Sequence, residues 1–562
     1  MEYEHHGFAE SGAMSNAMQK HVIKARNTGL NFKERHYNMI KKYFFLDDEH
    51  VALHENVARV FHEPVKHGKP ILAPETPLEG QRLALWNAPL LSEDGGHWRL
   101  WYIGGDDSLP LYADSEDGLN WRRPDLGLVE HNAKRNNNLV DLGFPAKSKY
   151  QRFVMAPNPS GDRGEKRYCA LIQVDGTTLK PLFSSDGFKW RLLADNPGLF
   201  SNDEYRLVGD PEKGLLIATV KLYGYVADMS RQRFSVPEYG RAVGLFTSRD
   251  GLTWTDMGLI YHADSADRAA GVATLARHAA DPDYLSPIYN APEYSWTDIY
   301  NMPVFPYHGI YLGLPAMFQH SGYFASPNQD GLLWPALTWS NDLMRWNRPL
   351  ERKPFIPLSP CTDKYIYDNG MIFACPPVRR DNELWFYYTG CRHSHVTASL
   401  LEKSGLDYAR EKTRAAVFLA RLRLDGFASM RAGEQKGAIL THPVVVEGPN
   451  LRVNGRTRHG EILAEIRDAA TGRVIPGFGL GDYLAPKNIT FPDGVKQPRL
   501  AGLGARHIDD TTKNDAVPFG GDEVDACMAW RGGNDLSALK GRTVRIFFAM
   551  RNADIYSFWF GA

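Results

Sequence analysis

Along the chain the dominant pattern is an alternation of apolar and polar positions with a period of two, in which large aromatics fall on the apolar face. Five segments carry it: HWRLWYIGG from His97, KRYCALIQV from Lys166, GLLIATVKLYG from Gly214, GIYLGLPAMF from Gly309 and ELWFYYTGC from Glu383. Side chains of a strand point alternately to opposite faces, so this period predicts strands with one face in a core. Each segment is followed by a second strand closing in a tight polar turn: YADSEDGLNW to Trp121, FSSDGFKW to Trp190, FTSRDGLTW to Trp254, TWSNDLMRW to Trp346 and ARLRLDGFASM to Met430. Asp-Gly suits such a turn, because glycine tolerates positive φ and aspartate can accept from the backbone two residues on. The tryptophan three residues past the glycine is expected to open the outermost strand and to pack between neighbouring sheets. The turn aspartates Asp117, Asp186, Asp250, Asp342 and Asp425 lie 69, 64, 92 and 83 residues apart. That spacing is too irregular for a solenoid and suits blades with loop insertions, so five copies predict a five-bladed β-propeller.

From about Gly437 the alternation continues without the repeat. The strings GAILTHPVVV, NLRVNG, GEILAEIRDAATGRVI, EVDACMAW, TVRIFFAM and DIYSFWF, separated by Gly, Asn and Asp turns, predict a β-sandwich. Residues 13–45 have a helical texture, with Val22, Leu30 and Ile40 among basic residues, and are expected to form an arm or an oligomer contact. The expected fold class is therefore all-β: a partly helical arm over 1–45, a propeller over 46–435 and a C-terminal sandwich over 436–562. No Pro/Ser linker separates the last two, so rigid packing is expected.

Composition sharpens this picture. At 562 residues the chain exceeds the ~100–200 residues of one domain. Its 13 Trp, 26 Tyr and 27 Phe supply large cores, and its 51 Gly and 35 Pro supply many turns. The formal charge of −1, from 65 basic and 66 acidic residues with no basic stripe, argues against nucleic acid as a partner. No stretch approaches the ~18–20 apolar residues of a membrane span, and residues 1–12 lack the apolar run of a secretory signal. Five cysteines, an odd number without a CxxC pair, point to reduced thiols and a cytoplasmic setting. Asn488-Ile-Thr490 has the form of a glycosylation sequon and is expected to be a turn.

The chemistry is narrowed by what is missing. There is no GxSxG elbow, HExxH or P-loop, and GFGLGD from Gly477 precedes no helical pattern, so no cofactor is expected. What remains are carboxylates on the strands expected to line a propeller channel: ALWNAPLL from Ala84, NNNLVDLGF from Asn136 with RFVMAPNP behind it, NDEYRLVGD from Asn202, DIYNMPVFPY from Asp298 and YDNGMIFACPPV from Tyr367. Three of them open with an acid: Asp203 with Glu204, Asp298, and Asp368. Glycoside hydrolysis uses one carboxylic acid to protonate the leaving oxygen and one carboxylate as nucleophile or base. Acids at strand starts also serve as turn caps, which is the structural alternative for each taken singly. Trp86, Trp296 and Tyr300 are placed to stack on a sugar. His320, His393 and His395 are expected near the mouth and lack metal-ligand spacing, so no metal is expected. Asn87 and Arg206, on the same strands, complete the expected substrate contacts. Acids held close repel, so neutralising one is expected to leave stability unchanged or to raise it.

The run SEDGLNWRRPDLGLVEHNAKRNNNLV (Ser115 to Val140), FLDDEHVALHENVARVFHEPVKHGKPIL (Phe45 to Leu72), DIYNMPVFPYHGIYLGLP (Asp298 to Pro315), YDNGMIFACPP and DIYSFWF together resemble a group of bacterial proteins related to glycoside hydrolase family 32. The resemblance covers the chain from Phe45. It implies the five-bladed propeller shared by families 32, 43 and 68, with acids from separate blades around a funnel and furanosides such as fructosides and arabinosides as substrates. Those families carry an essential Asp on the first blade, where this chain has Trp86-Asn87, and no ECP-type acid occurs on the third. The resemblance thus implies a catalytic set moved to blades three, four and five, or lost. Under the first reading Asp298 is the nucleophile or base, Asp203 or Glu204 the general acid, and Asp368 holds the sugar or tunes a pKa. Its partner is an imported oligosaccharide or small glycoside. Under the second the chain is a non-catalytic carbohydrate-binding propeller.

Overall fold

The computed structural model describes residues 40–562 except 93–94, 144–151, 162–163, 174–176, 193–197, 223–239, 289–294, 324–328, 363–364, 396–412 and 482–514. The chain divides into Met1–Lys41 and Lys42–Ala562. The expected arm over 1–39 and the sequon at 488–490 lie outside the described residues.

The second unit is almost all β, with one α-helix, Ser265–Ala280, among the described residues. Four blade-like sheets give it a propeller-like arrangement. In the first, Trp98–Gly104 pairs with Leu109–Ser115 on one side and with Leu83–Ala84 and Leu90–Leu91 on the other. The second is the meander Phe153–Pro157, Tyr168–Gln173, Thr178–Ser184, edged by Arg191–Leu192 and Leu199–Phe200. The third runs Tyr205–Asp210, Leu215–Leu222, Ala242–Ser248, Thr255–Tyr261. An eight-stranded sheet follows, from Thr297–Ile299 to Ala415–Arg423, and its last place is taken by Val65–Lys66, from the start of the unit. The innermost strand of the second sheet is Phe153–Pro157 rather than the NNNLVDLGF stretch. The latter runs along the outside, bridging Leu111 through Leu139 and Lys189 through Asp141.

The polar turns show why the repeat exists. In four copies a serine two residues before the aspartate hydrogen-bonds it at 3.0–3.1 Å: Ser115–Asp117, Ser184–Asp186, Ser248–Asp250 and Ser340–Asp342. The aspartate then accepts from the next backbone N–H groups, as at Leu119 and Asn120. Gly118, Gly187 and Gly251 have φ of 77°, 84° and 73°, and each leaves room for an aromatic of the preceding sheet. A Cβ there would lie 2.6 Å from the Tyr387 hydroxyl, 2.5 Å from the Trp101 ring and 2.9 Å from the Phe183 ring, respectively. Tyr387 and Trp101 also donate to the carbonyls of Gly118 and Gly187, at 3.0 and 2.7 Å. The contacts thus pass from sheet to sheet. In the fourth copy Leu343 takes φ of 69° without a glycine.

Asp425 does not share this role. Arg423 stands where the others have serine, so the turn-closing hydrogen bond is lost. Asp425 is buried instead, ion-paired with Lys42 at 2.7 Å and accepting from the Tyr307 and Ser557 hydroxyls at 2.5 and 2.8 Å.

The C-terminal part is a nine-stranded sheet built on two 19-residue strands, Asn450–Asp468 and Thr543–Gly561, paired along their length. Register shifts after Asn454 and Thr457 mark where the pair bends. Its core holds Ile439, Val453, Ile466, Phe547 and Phe558. Strand pairing also ties the start of the described chain to this sheet. Lys42–Phe44, Val51–Glu55 and Val57–Phe61 join this sheet, pairing with Thr543–Gly561, Gly437–Thr441 and Ala428–Ala432. The physical reason is alternation: Tyr43 and Phe45 enter the C-terminal core while Phe44 and Leu46 enter the core of the blade-like sheets.

Two glycines separate backbone strain from close packing. Gly68 has φ of 85° with nothing within 4 Å of a Cβ, whereas Gly187 has the same conformation with Trp101 in the way. Gly68→Ala is expected to cost about 1 kcal/mol and Gly187→Ala about 3 kcal/mol. Denaturant unfolding of both variants measures this, and equal costs would remove the packing argument.

Candidate active site

The segment before Tyr205–Asp210 is clamped to its neighbour strand. Asn202 N donates to Lys221 O at 3.1 Å, Lys221 N to Glu204 O at 2.8 Å and Ser201 Oγ to Glu204 O at 3.0 Å. This fixes the two adjacent acids. Glu204 is fully buried, and its carboxylate accepts from Trp86 Nε1 at 3.1 Å and Asn301 Nδ2 at 3.0 Å, with Arg152 Nη2 2.7 Å away. Trp86 belongs to the first sheet, Arg152 abuts the second and Asn301 follows Thr297–Ile299. Four separate segments therefore converge on one carboxylate.

Asp203 is the outermost of the group, its side chain 35% exposed, with the wholly buried ammonium of Lys221 at 2.6 Å. That ammonium stands 3.7 Å from the centre of the Tyr300 ring. Burial pushes the Asp203 pKa up, but the charges of Lys221, Arg152 and Arg241 outweigh it and hold the carboxyl below its ordinary range. Burial pulls Lys221 down to about 8, against the opposing pull of Asp203 and Glu204.

Asp298 is buried and fully engaged. Its Oδ2 takes Arg241 Nη1 at 2.5 Å and His320 Nε2 at 2.9 Å, and its Oδ1 accepts from Trp296 Nε1 at 3.1 Å and Arg241 N at 3.2 Å. Gly240, at φ of 60°, is required beside it, because a Cβ there would overlap Asp298 Oδ1. Burial acts to raise the Asp298 pKa, and the His320 hydrogen bond and the Arg241 charge override it. His320 lies between Trp296 and Phe318, with ring centres 4.2 and 4.0 Å away, and this burial lowers its own pKa. The neutral ring therefore supplies a hydrogen bond, and Arg241 supplies the charge. Arg241 acts electrostatically on Asp203 as well, which joins the two acids into one network.

Tyr300 sits at the centre of this group, packed edge-on against Phe318 and Phe373, its hydroxyl 3.1 Å from His395 Nε2. Asp368 belongs to a different set. Its Oδ2 meets Lys66 Nζ at 2.6 Å and the Tyr388 hydroxyl at 2.8 Å, and among the described residues no hydrogen bond or ion pair links it to the other three acids. Asn87 spends its amide on backbone, donating to Trp101 O and Phe153 O at 3.3 and 3.1 Å and accepting from Met155 N at 2.7 Å. It ties the first sheet to the second. His393 is half-buried, and its carbonyl fills the space a Cβ on Gly370 would need. Arg206 is buried, and its Nε, Nη1 and Nη2 have no hydrogen-bond partner among the described residues.

Sequence reasoning missed the cations. Arg152, Lys221 and Arg241 interleave the acids, so the like-charge repulsion expected among them is replaced by attraction. Lys221 left a readable trace, a lone charge inside the apolar run LLIATVKL. A cleft of about 230 Å³ opens beside the cluster, lined by Arg82, Ala84, Trp86, Ile103, Gly105, Ser108 and Arg152. Among the described residues no group of three or more His, Cys, Asp and Glu could hold a metal, no helix is long and apolar enough to cross a membrane, and the five cysteines are unpaired.

Lys221 sets an alkaline signature. Its folded pKa of about 8 lies below the ~10.4 of an unfolded lysine, so between these values the unfolded chain binds more protons and stability rises with pH. Lys221→Met is expected to lack that rise. Unfolding free energies across the window, for wild type and variant, measure it.

No protein-family model matches the sequence, and no curated protein matches it. Solved structures do show likeness. One is a GH32 β-fructofuranosidase of Bombyx mori, 11% identical, with a TM-score of 0.33 over 88% of this chain and 95% of that one. Another comes from a study of glycoside hydrolases of the GH130 family of mannoside phosphorylases that target β-1,2 mannosidic linkages, 12% identical, with a TM-score of 0.37 over 65% and 94%. A third, described as a glycoside hydrolase, is 12% identical with a TM-score of 0.35 over 64% and 92%. With these TM-scores below 0.5, the functional reading stands on the geometry of the site.

Proposed function

We propose that this chain cleaves a glycosidic bond, with furanosides of fructoside or arabinoside type as the first substrates to test. The observation that carries the reading is the convergence of Asp203, Glu204 and Asp298, from two sheets, around Tyr300 and beside one cleft. Asp298, held below the ordinary carboxylate range, suits the nucleophile or base. A carboxyl depressed in that way is a poor proton donor, and this applies to Asp203 too. Lys221, brought down to about 8, holds a proton it can release near neutral pH, so the Lys221–Asp203 pair is assigned as the unit that protonates the leaving oxygen. Glu204, fixed by three donors, orients the sugar or shares the charge of the transition state.

The architecture behind this reading is a five-bladed propeller with a C-terminal sandwich. The eight-stranded sheet counts as two blades because a single parallel pair, Leu333–Met371, joins its halves. Pro303, Pro315 and Pro335 bend three consecutive strands of its first half, which splits the short sheet Val304–Tyr307, Ile310–Gly313, Thr338–Ser340 from one blade.

Asp298→Asn and Glu204→Gln are expected to lower turnover about 10²–10⁴-fold on an active glycoside. Against the expectation from like-charge repulsion, Asp298→Asn is also expected to lower stability by about 3 kcal/mol, since it removes the carboxylate ion-paired with the largely buried Arg241. Steady-state kinetics on a panel of nitrophenyl furanosides and pyranosides, with thermal unfolding of each variant, measures both. Full turnover in both variants would overturn the assignment.

A further inference from the structure

The charges of the cluster do not balance toward the side a neutral glycoside needs. Among the described residues three carboxylates, Asp203, Glu204 and Asp298, face four cations, Arg152, Arg206, Lys221 and Arg241. The transition state of glycosidic cleavage gains positive charge at the sugar, and a surplus of cations opposes it. The surplus cation is Arg206. Arg206 is 4% exposed, and none of its guanidinium nitrogens has a hydrogen-bond partner among the described residues. A buried guanidinium without hydrogen bonds is costly, because its donors have lost water, and the charge of Glu204 and the face of an indole replace that loss only in part. Its neighbour Arg152 also keeps Nε without a partner. Both guanidiniums lie against the same indole, 5.2 Å (Arg152) and 5.5 Å (Arg206) from the Trp86 ring. Trp86 in turn lines the 230 Å³ cleft together with Arg152.

We infer that Arg206 and Arg152 form a seat for an oxyanion, a carboxylate or phosphate, that enters through this cleft next to the bond to be cleaved. A planar guanidinium offers paired N–H donors to two oxygens of such a group, which an ammonium does not. The nitrogens of Arg206 are enclosed, so seating the anion displaces the half-buried Trp86 indole, which gives up its hydrogen bond to Glu204. Anion arrival and release of Glu204 are thereby linked. One negative charge delivered here brings the cluster to neutrality, and a dianion makes it negative, the sign that favours a developing sugar cation. Two sources present this chemistry: an acidic group on the sugar itself, or free phosphate bound beside a neutral sugar.

The inference shares its site with the glycosidase reading, and its test does not depend on turnover. Binding is measured by calorimetry on the full chain with inorganic phosphate, galacturonate, galactose 1-phosphate and neutral galactose, each against chloride at equal ionic strength. Wild type is expected to bind at least one oxyanion and to prefer it over galactose. Phosphate alone points to a free anion, and tighter binding of the acidic sugars to a sugar-borne one. Arg206→Met is expected to weaken binding roughly ten-fold or more, and Arg206→Lys to restore part of it. If no oxyanion binds wild type in the millimolar range, the inference fails without recourse to any variant. It fails equally if Arg206→Met and Arg206→Lys both bind as wild type does. Binding without hydrolysis of any glycoside would leave this seat standing and remove the reading of the acids.

Discussion

The structure depends on a contact that involves a missing atom. At the turn of each of the first three sheets a glycine with positive φ leaves a notch, and an aromatic of the preceding sheet fills it: Tyr387 at Gly118, Trp101 at Gly187, Phe183 at Gly251. Two requirements coincide there, since an L side chain would be strained at that φ and would also collide with the ring. Sheets in such an arrangement share no strand ladder with their neighbours, so contacts and hydrogen bonds made by side chains set how far apart they stand. Repeating one notch fixes that spacing at successive junctions. Tyr387, from the last large sheet, packs on the first, and Val65–Lys66 at the start of the unit completes that same last sheet.

Because the sheets are held at their outer turns, the inner strand starts are free to carry polar groups. That is where Glu204, Arg152 and Asp298 lie, each contributed by a different stretch of chain, with Asn301 just beyond Asp298. Burial there would neutralise isolated acids by raising their pKa values. The interleaved cations reverse this for Asp203 and Asp298 and keep them charged. The same arrangement depresses Lys221, which has less to gain from Asp203 than it loses by burial. The charge state of each group is thus set by its environment and not by its residue type alone.

The strands and turns were legible because they depend on local order: a period of two and an Asp-Gly pair at fixed offset. The special status of Asp425 escaped that reading, which set it beside the other four, although Arg423 in place of the serine that closes those turns was its sign. The acids were singled out through their place before inner strands, and Asp203, Glu204 and Asp298 do gather. The separate surroundings of Asp368 could not be read, because they are set by Lys66 of a strand some 300 positions away in the chain. The cations escaped for a related reason. Arg152 precedes an apolar strand and looks like a surface residue until Glu204 is placed beside it. Pairing across sheets is a property of the closed fold, with no signature in the window around either partner.

The first described strand shows how much a short segment can carry when its two faces differ. From Tyr43 to Leu46 alternate residues enter two separate cores, and Lys42 reaches Asp425 in the last of the repeated turns. Asp425 also takes the Ser557 hydroxyl from the long C-terminal strand, while the Lys42 ammonium lies 4.3 Å from the Trp559 ring. A buried ion pair is a weak source of net stability but a strong source of register, since either charge left alone is heavily penalised. A slip of one residue in this strand would exchange Tyr43 and Phe45 with Phe44 and Leu46 between cores and would strand Asp425. The turn that gave up its serine therefore exchanged local closure for long-range alignment. That is why the fifth copy of the repeat departs from the pattern at the point where the C-terminal sheet meets it.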